Sequence, residues 1–201
     1  MILRNKKIFI LAALFLLVTA LTKIPSIDLL DRDLSFQLYN LFKSEFFTNL
    51  FAFISTYTIV ISTIVIGCLI FLKTKNIYKL ITFGVLTILQ SGIVSIIQLI
   101  IQRPRPFTNN EAIVYLGNNL PISFSFPSAH TTFAFFLAYI ASRIFHERRF
   151  VTIVSYIVAL LVAFSRLYLG AHYILDVTGG AILGILLGMV AIKIYFKISL
   201  P

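Results

Sequence analysis

The chain has 201 residues, of which 59% are hydrophobic and 12% are charged, and it carries a formal net charge of +10. Soluble domains are nearer half apolar and a quarter charged, so this composition excludes an ordinary water-soluble globule and indicates a membrane protein. No basic stripe with interleaved aromatic residues accounts for the positive charge, and this excludes a nucleic-acid-binding surface. The length suits one all-α, polytopic bundle of about six helices, since each span needs about 20 residues. Residues 1–201 are therefore expected to form a single membrane-embedded domain.

Six apolar segments are predicted to cross the membrane. In chain order they are Ile8–Thr22, Leu50–Leu72, Leu80–Ile101, Ser128–Phe145, Phe150–Phe164 and Tyr173–Phe196. The first and fifth are short for a hydrocarbon core of about 30 Å, so we expect them to extend into flanking residues. The first segment follows a basic start, as a secretory signal does. A retained anchor is favoured, because no small-x-small cleavage site follows it.

A polar segment, Ile27–Thr48, separates the first two predicted spans. Its apolar residues recur at helical spacing and are Leu30, Leu34, Leu38, Leu41 and Phe42. This pattern predicts an amphipathic helix. The helix either lies in the membrane interface or covers the bundle as an ordinary surface helix, and the pattern alone does not choose between the two.

The basic residues predict the orientation of the bundle. With both termini in the cytoplasm, eleven of the 17 basic residues face inward, namely Arg4, Lys6, Lys7, Lys73, Lys75, Lys79, Arg143, Arg148, Arg149, Lys193 and Lys197. Six of the seven acidic residues fall on the outer side. An excess of Lys and Arg in the cytoplasmic connections is the usual pattern of membrane proteins, and it explains the net charge without a nucleic-acid partner.

Three polar segments interrupt the apolar sequence, and the predicted topology places all of them on the outer side. The first contains Gln98 and residues 102–106, the second is Pro127–His130, and the third extends from Ser165 to Asp176. Ionisable groups at membrane depth are costly and usually mark function.

The third polar segment has the pattern of a nucleophilic site. His172 and Asp176 are four residues apart, so they share one face of a helix. A carboxylate beside an imidazole fixes its tautomer and raises its basicity, while Arg166 offers a planar fork that matches phosphate oxygens. A buried His–Asp pair that only closes a helix contact is the structural alternative.

The other two polar segments add candidate ligands and a candidate acid. Ser128 is predicted to cap a helix whose free amides favour an anion, and His130 in the first turn is a candidate general acid. Arg103 and Arg105 are candidate phosphate ligands, although interfacial arginines that reach toward water give the same pattern. A capping serine with an incidental histidine is the alternative for the second segment.

Together the three segments supply a nucleophile, an orienting carboxylate, an acid and cationic ligands, which is what phosphoryl transfer without a metal requires. Two histidines and an aspartate would also suit zinc, but the surrounding arginines would repel a dication. We therefore predict no metal and no cofactor. The remaining histidine, His146, is expected to lie in a solvated loop on the inner side.

In order and spacing, these residues resemble the type 2 phosphatidic acid phosphatase superfamily of membrane phosphatases. That family has a lysine, six residues and Arg-Pro, then Pro-Ser-Gly-His, then Ser-Arg, five residues, His, three residues and Asp. The matching residues here are Arg105, Pro106, Pro127, Ser128, His130, Ser165, Arg166, His172 and Asp176. Gln98 stands at the position of the family lysine, and Ala129 at that of the family glycine. The six-span arrangement is similar as well.

The resemblance implies a role for each matched residue. His172 is expected to attack phosphorus, with Asp176 orienting it and His130 protonating the leaving oxygen and later activating water. The expected phosphate-binding residues are Arg105, Arg166, Ser128, Ser165, Gln98 and Ala129, with Arg103 as an auxiliary ligand that compensates for the missing lysine. Such enzymes need no metal, and many act on envelope lipids from the outer face of the cell membrane.

The expected function is hydrolysis of a lipid phosphomonoester or diphosphate in the bilayer. Candidate substrates are polyprenyl diphosphate, phosphatidylglycerol phosphate, phosphatidic acid and lipid A phosphates. Two alternatives stay open: a phosphotransferase that passes the phosphate to a second lipid, and a non-catalytic lipid-phosphate binding protein or flippase. The sequence chooses neither the lipid nor the oligomeric state.

Overall fold

The computed structural model describes residues 2–41 and 43–197, and all regular structure within them is helical. The helices are α1 (Ile2–Leu21), α2 (Pro25–Asn40), α3 (Glu45–Thr74), α4 (Ile77–Ile101), α5 (Pro106–Asn109), α6 (Ala129–Ile144), α7 (Arg149–Tyr168) and α8 (Ile174–Lys197). The all-α prediction is confirmed. Phe42, expected on the amphipathic helix, and the side chain of Arg4, expected on the inner side, lie outside the described part.

Each predicted span coincides with a helix, but the structure does not confirm the count of six. Four segments are long and apolar enough to cross a bilayer: α3, α4 with its continuation to Asn109, α7 and α8. A fifth is reached if α1 and α2, which meet at 90°, are counted as one broken span. Helix α6 has 16 residues, which at about 1.5 Å per residue is shorter than the hydrocarbon core. The protein is therefore multi-pass, and six crossings stay a prediction.

Helix α2 is amphipathic, with its polar face turned toward the protein. Proline at its first turn suits a helix start, and the chain bends by 90° immediately before it. Asp31, Ser35 and Tyr39 are buried, whereas Leu29 and Leu30 are 61% and 57% exposed. Leucines that face away from the protein are favourable when the helix lies against lipid. The predicted segment is too long at its C-terminal end, because Ser44 caps the next helix by accepting a hydrogen bond from the Phe47 amide at 3.3 Å.

Helix α6 is the most enclosed element of the bundle and packs against α7 and α8. Gly180, Gly184 and Gly188 repeat every fourth residue along α8, and small residues at this spacing let two helix backbones approach closely. A Cβ at Gly184 would lie 2.4 Å from the Thr132 carbonyl oxygen of α6. The first turns of α6 and α8 are thereby brought together, and they carry His130 and Asp176.

Candidate active site

A cavity of about 450 Å³ opens where the three polar segments meet. Helices α3, α6 and α7 contribute to its wall, together with the connection between α5 and α6 and the loop between α7 and α8. The polar groups that line it include Ser55, Arg105, Tyr115, His130, Arg166 and His172. Residues from positions 55 to 172 of the chain therefore form one polar site in an apolar bundle.

His172 lies in the tight loop between α7 and α8, and its side chain is 1% exposed. Gly170 adopts a φ of +70°, and the Ala171 amide donates to the Arg166 carbonyl at 3.0 Å, so the chain reverses direction just before the histidine. Burial, with the nearby Arg105 guanidinium, lowers the pKa of His172 to about 3. His172 is therefore neutral at physiological pH, as a nucleophilic imidazole must be.

The two ring nitrogens of His172 have different neighbours. Nε2 lies 3.1 Å from the Nη1 atom of Arg105, which can only donate, so Nε2 carries the lone pair. Nδ1 then carries the proton and lies 3.5 Å from the Asp176 carboxylate. This distance is longer than an ordinary hydrogen bond, and Nδ1 has no closer partner among the described residues. The tautomer that results presents the unprotonated nitrogen to the cavity.

Asp176 lies in the first turn of α8 and is fully buried. Its Oδ2 atom accepts the Tyr173 amide at 2.9 Å, and its Oδ1 atom accepts from the Arg103 guanidinium at 2.7 Å. Both oxygens are therefore fixed, and the carboxylate is held beside His172 rather than free to rotate.

The two arginines of the cavity are anchored differently. Arg105 donates to the carbonyls of Ser123, Phe124 and Ala171 at 2.6, 3.2 and 3.0 Å, which holds its guanidinium beside His172. Arg166 is 2% exposed and donates to the Ser55 hydroxyl, and its Nε atom has no partner among the described residues. Two guanidiniums in one buried cavity favour a multiply charged anion.

Three of the predicted phosphate ligands are absent from the lining of the cavity, and their side chains are hydrogen-bonded within the protein. The Ser128 hydroxyl accepts from the Thr131 hydroxyl at 3.0 Å, and the Ser165 hydroxyl donates to the Val162 carbonyl at 2.7 Å. The Gln98 amide donates to the Pro127 carbonyl at 2.9 Å. Ala129, in contrast, lines the cavity. As predicted, Ser128 is the N-cap of α6.

Arg103 has no phosphate-facing position in this structure. Its guanidinium donates to three carboxylates, those of Asp28 and Asp31 on α2 and of Asp176, at 2.6 to 2.7 Å. The structure therefore gives no support to the auxiliary phosphate contact predicted for this residue, because its guanidinium already forms ion pairs with three carboxylates of the protein. Two of these partners were not evident from the sequence, because they come from α2, which lies about 70 residues earlier in the chain.

Sequence reasoning also missed Ser55 and Tyr115, which complete the wall of the cavity. The signal for Ser55 in the sequence was a hydroxyl inside a long apolar span, since a polar group at membrane depth needs a hydrogen-bond partner. In the structure Ser55 is 3% exposed. No group of three or more His, Cys, Asp or Glu residues with metal-binding geometry occurs in the described part of the chain. Metal independence stays a prediction.

Comparison with known proteins connects this site to a family. The family model of the PAP2 superfamily matches residues 79–199. Over 73 residues the chain is 40% identical to phosphatidylglycerophosphatase B of Bacillus subtilis, which is 32% of this chain and 36% of that protein. It is 30% identical over 152 residues to the undecaprenyl-diphosphatase BcrC of the same organism, covering 75% of this chain and 74% of that protein.

The fold has a counterpart among solved structures. The crystal structure of a transmembrane PAP2-type phosphatidylglycerolphosphate phosphatase from Bacillus subtilis superposes with a TM-score of 0.74 and 25% identity. The superposition covers 96% of this chain and 98% of that one, so the likeness includes helices outside the stretch matched by the family model. From the matched residues and the shared fold, we conclude that this chain belongs to the PAP2 superfamily.

Proposed function

We propose that this protein is a membrane lipid phosphatase that hydrolyses a lipid phosphomonoester or diphosphate through a covalent phosphohistidine. The observation that carries the proposal is the pair of contacts to His172. Arg105 fixes the lone pair on Nε2 at the cavity, and Asp176 lies 3.5 Å behind the protonated Nδ1. The two Bacillus subtilis relatives are a phosphatidylglycerophosphatase and an undecaprenyl-diphosphatase by name, and this supports a lipid phosphate or diphosphate as the substrate.

In the first step, the Nε2 lone pair of His172 forms a bond to phosphorus while the bond from phosphorus to the leaving oxygen breaks. His130, in the first turn of α6, enters this step protonated, donates that proton to the leaving oxygen and becomes neutral. Arg105 and Arg166 balance the charge of the transferring phosphoryl group. Because Arg105 contacts Nε2 at 3.1 Å, an incoming phosphate must replace this contact before attack.

In the second step, water attacks the phosphoenzyme. His130 has given up its proton and now accepts one from water, and the bond between phosphorus and His172 Nε2 breaks. Inorganic phosphate is released, and His172 returns to its neutral form. The substrates that we propose are the envelope lipids named above, and the active site is proposed to face the outer side because the basic connections are expected in the cytoplasm.

A burst experiment with two substrates tests the two histidines. A nucleophile is needed for any leaving group, whereas a general acid matters less for p-nitrophenolate than for a lipid alkoxide. His172→Ala should therefore be inactive on both substrates. His130→Ala should be inactive on lipid yet release a first burst of p-nitrophenolate, after which the protein retains acid-labile phosphate on His172. His146→Ala, exposed on the inner connection, is the matched control.

The outcomes separate the proposed roles. A burst from His172→Ala with none from His130→Ala would reverse the two assignments, and full turnover by His172→Ala would refute the mechanism. Product analysis with a second lipid present then tests hydrolysis itself. Inorganic phosphate should equal the dephosphorylated lipid, and a phosphorylated second lipid would instead indicate a transferase.

A further inference from the structure

Asp176 is bound to a charged group of residues that the proposed mechanism does not use. We call Arg103, Asp28 and Asp31 the Arg103 cluster. The Arg103 guanidinium contacts Asp28 at 2.6 Å, Asp31 at 2.7 Å and Asp176 at 2.7 Å, and Arg103 and Asp31 have 4% exposed side chains. One buried cation therefore connects the orienting carboxylate of the active site to two carboxylates of α2.

Helix α2 also supports the backbone on which Asp176 stands. The second oxygen of Asp31 accepts the Leu175 amide at 3.1 Å, and the Ser35 hydroxyl accepts the Ile174 amide at 3.0 Å. The first amides of a helix have no partner within the helix, so these contacts satisfy the start of α8. The polar face of α2 thus fixes both the side chain and the backbone of Asp176.

The charge of this assembly has a consequence for catalysis. Asp28, Asp31 and Asp176 carry three negative charges, whereas Arg103 and Arg32, which contacts Asp28 at 2.6 Å, carry two positive ones. A net negative charge therefore lies on the Nδ1 side of His172. When Nε2 forms its bond to phosphorus, positive charge develops on the imidazole ring, and this negative charge stabilises it.

We propose that Asp31 and Asp28, acting through Arg103, are positioning residues that hold Asp176 against His172 and keep it an effective acceptor. Sharing one guanidinium among three carboxylates prevents Arg103 from neutralising Asp176 alone. If Asp31 loses its charge, Arg103 binds Asp176 more closely, and Asp176 accepts more weakly from Nδ1. This inference rests on the proposed phosphohistidine function and adds residues that the family motifs do not contain.

The test is Asp31→Asn in purified protein, assayed with p-nitrophenyl phosphate. Asparagine keeps an oxygen for the Leu175 amide, and it removes both the charge and the oxygen that accepts from Arg103. Because Asp31 lies behind His172 and not in the cavity, kcat should fall about 10-fold or more while KM stays within about twofold, as the outer partners of a functional histidine typically behave. Asp33→Asn, exposed on the same helix, is the matched control and should match the unmodified protein.

A double-mutant cycle distinguishes positioning from a general structural role. In an Asp176→Asn background, Asp31→Asn should cause no further loss of kcat, because its effect passes through Asp176. An equal loss in both backgrounds, or full kcat for Asp31→Asn, would overturn the proposal. Where Asp31→Asn does not fold, Asp28→Asn, whose side chain is 17% exposed, should give the same split. Full turnover by His172→Ala would instead refute the proposed function itself.

Discussion

The close contact between α6 and α8 can be tested by adding one methyl group. Gly184→Ala places a Cβ 2.4 Å from the Thr132 carbonyl oxygen, 2.9 Å from the Phe135 Cβ and 3.0 Å from the Phe136 amide. Two of these atoms belong to the α6 backbone and cannot move aside as a flexible side chain can. The helices must therefore separate.

The size of the effect follows from these distances. An ordinary contact at this position is about 3.4 Å, so α6 and α8 must move apart by about 1 Å, and strain of this kind costs roughly 1–3 kcal/mol. Thr132 is two residues from His130, so the same shift displaces the proposed acid relative to Asp176. A displacement of about 1 Å at reacting groups lowers turnover by up to ~100-fold.

Gly92→Ala is the matched control, because no atom lies within 4 Å of a Cβ at Gly92. Both variants gain the same preference of alanine over glycine in a helix, so their difference isolates the clash. Unfolding of the two purified variants should differ by roughly 1–3 kcal/mol, with Gly184→Ala the less stable, and only Gly184→Ala should lose kcat. Equal stability of the two variants would show that α6 and α8 do not need the close approach.

Four further predictions address other parts of the molecule. Burial lowers the pKa of His172 to about 3, from 6.5 in the unfolded chain, so below pH 6.5 the unfolded state binds a proton that the folded state does not. Lowering the pH from 7 to 5 should therefore reduce the free energy of unfolding by about 2 kcal/mol, measured with denaturant, and His172→Gln should show a smaller loss. Gln98→Leu removes the donor to a buried carbonyl and should destabilise by about 1–3 kcal/mol in the same assay. Activity should survive EDTA and be inhibited by vanadate, and a loss that zinc restores would overturn the metal-free mechanism. In a Cys68→Ala background, a cysteine at Asn118 should react with an impermeant thiol reagent in intact cells, whereas one at His146 should not; the opposite pattern would place the site inside.

The sequence predicted the fold well where the signal is local. Apolar runs of about 20 residues mark the long helices, because every backbone polar group must be satisfied within the membrane. The angle between α1 and α2 was not predictable in this way. The two helices meet at 90° across a break of three residues, and hydropathy carries no information about such a bend.

The sequence predicted which residues belong to the candidate site, but not all of the contacts that they make. The spacing of His172 and Asp176 on the chain predicted their proximity, but the expected shared helix face is wrong, because α8 begins at Ile174 and His172 lies in the loop before it. The Asp176 carboxylate reaches back toward that loop, where it accepts the Tyr173 amide at 2.9 Å. The contacts of Arg103 were not predictable, because an arginine beside Arg105 resembles a second phosphate ligand in the sequence. Only the tertiary structure shows the carboxylates of α2 around it. Ion pairs between residues that are distant in sequence leave no periodic pattern, so they become visible only in the three-dimensional structure.

Taken together, the charges of the site form a gradient across one imidazole ring. Arg105 contacts Nε2 of His172, and Arg166 lines the same cavity, whereas Asp176, to which the Arg103 cluster is bound, lies on the Nδ1 side. In a low-dielectric bundle such a gradient acts strongly, because water does not screen it. In the proposed mechanism, this gradient draws the phosphate to the nitrogen that carries the lone pair and stabilises the positive charge that develops on the ring. Gln98 adds no charge to this arrangement. It donates to the carbonyl of Pro127, which directly precedes the N-cap of α6, while the two arginines supply the positive charge of the cavity.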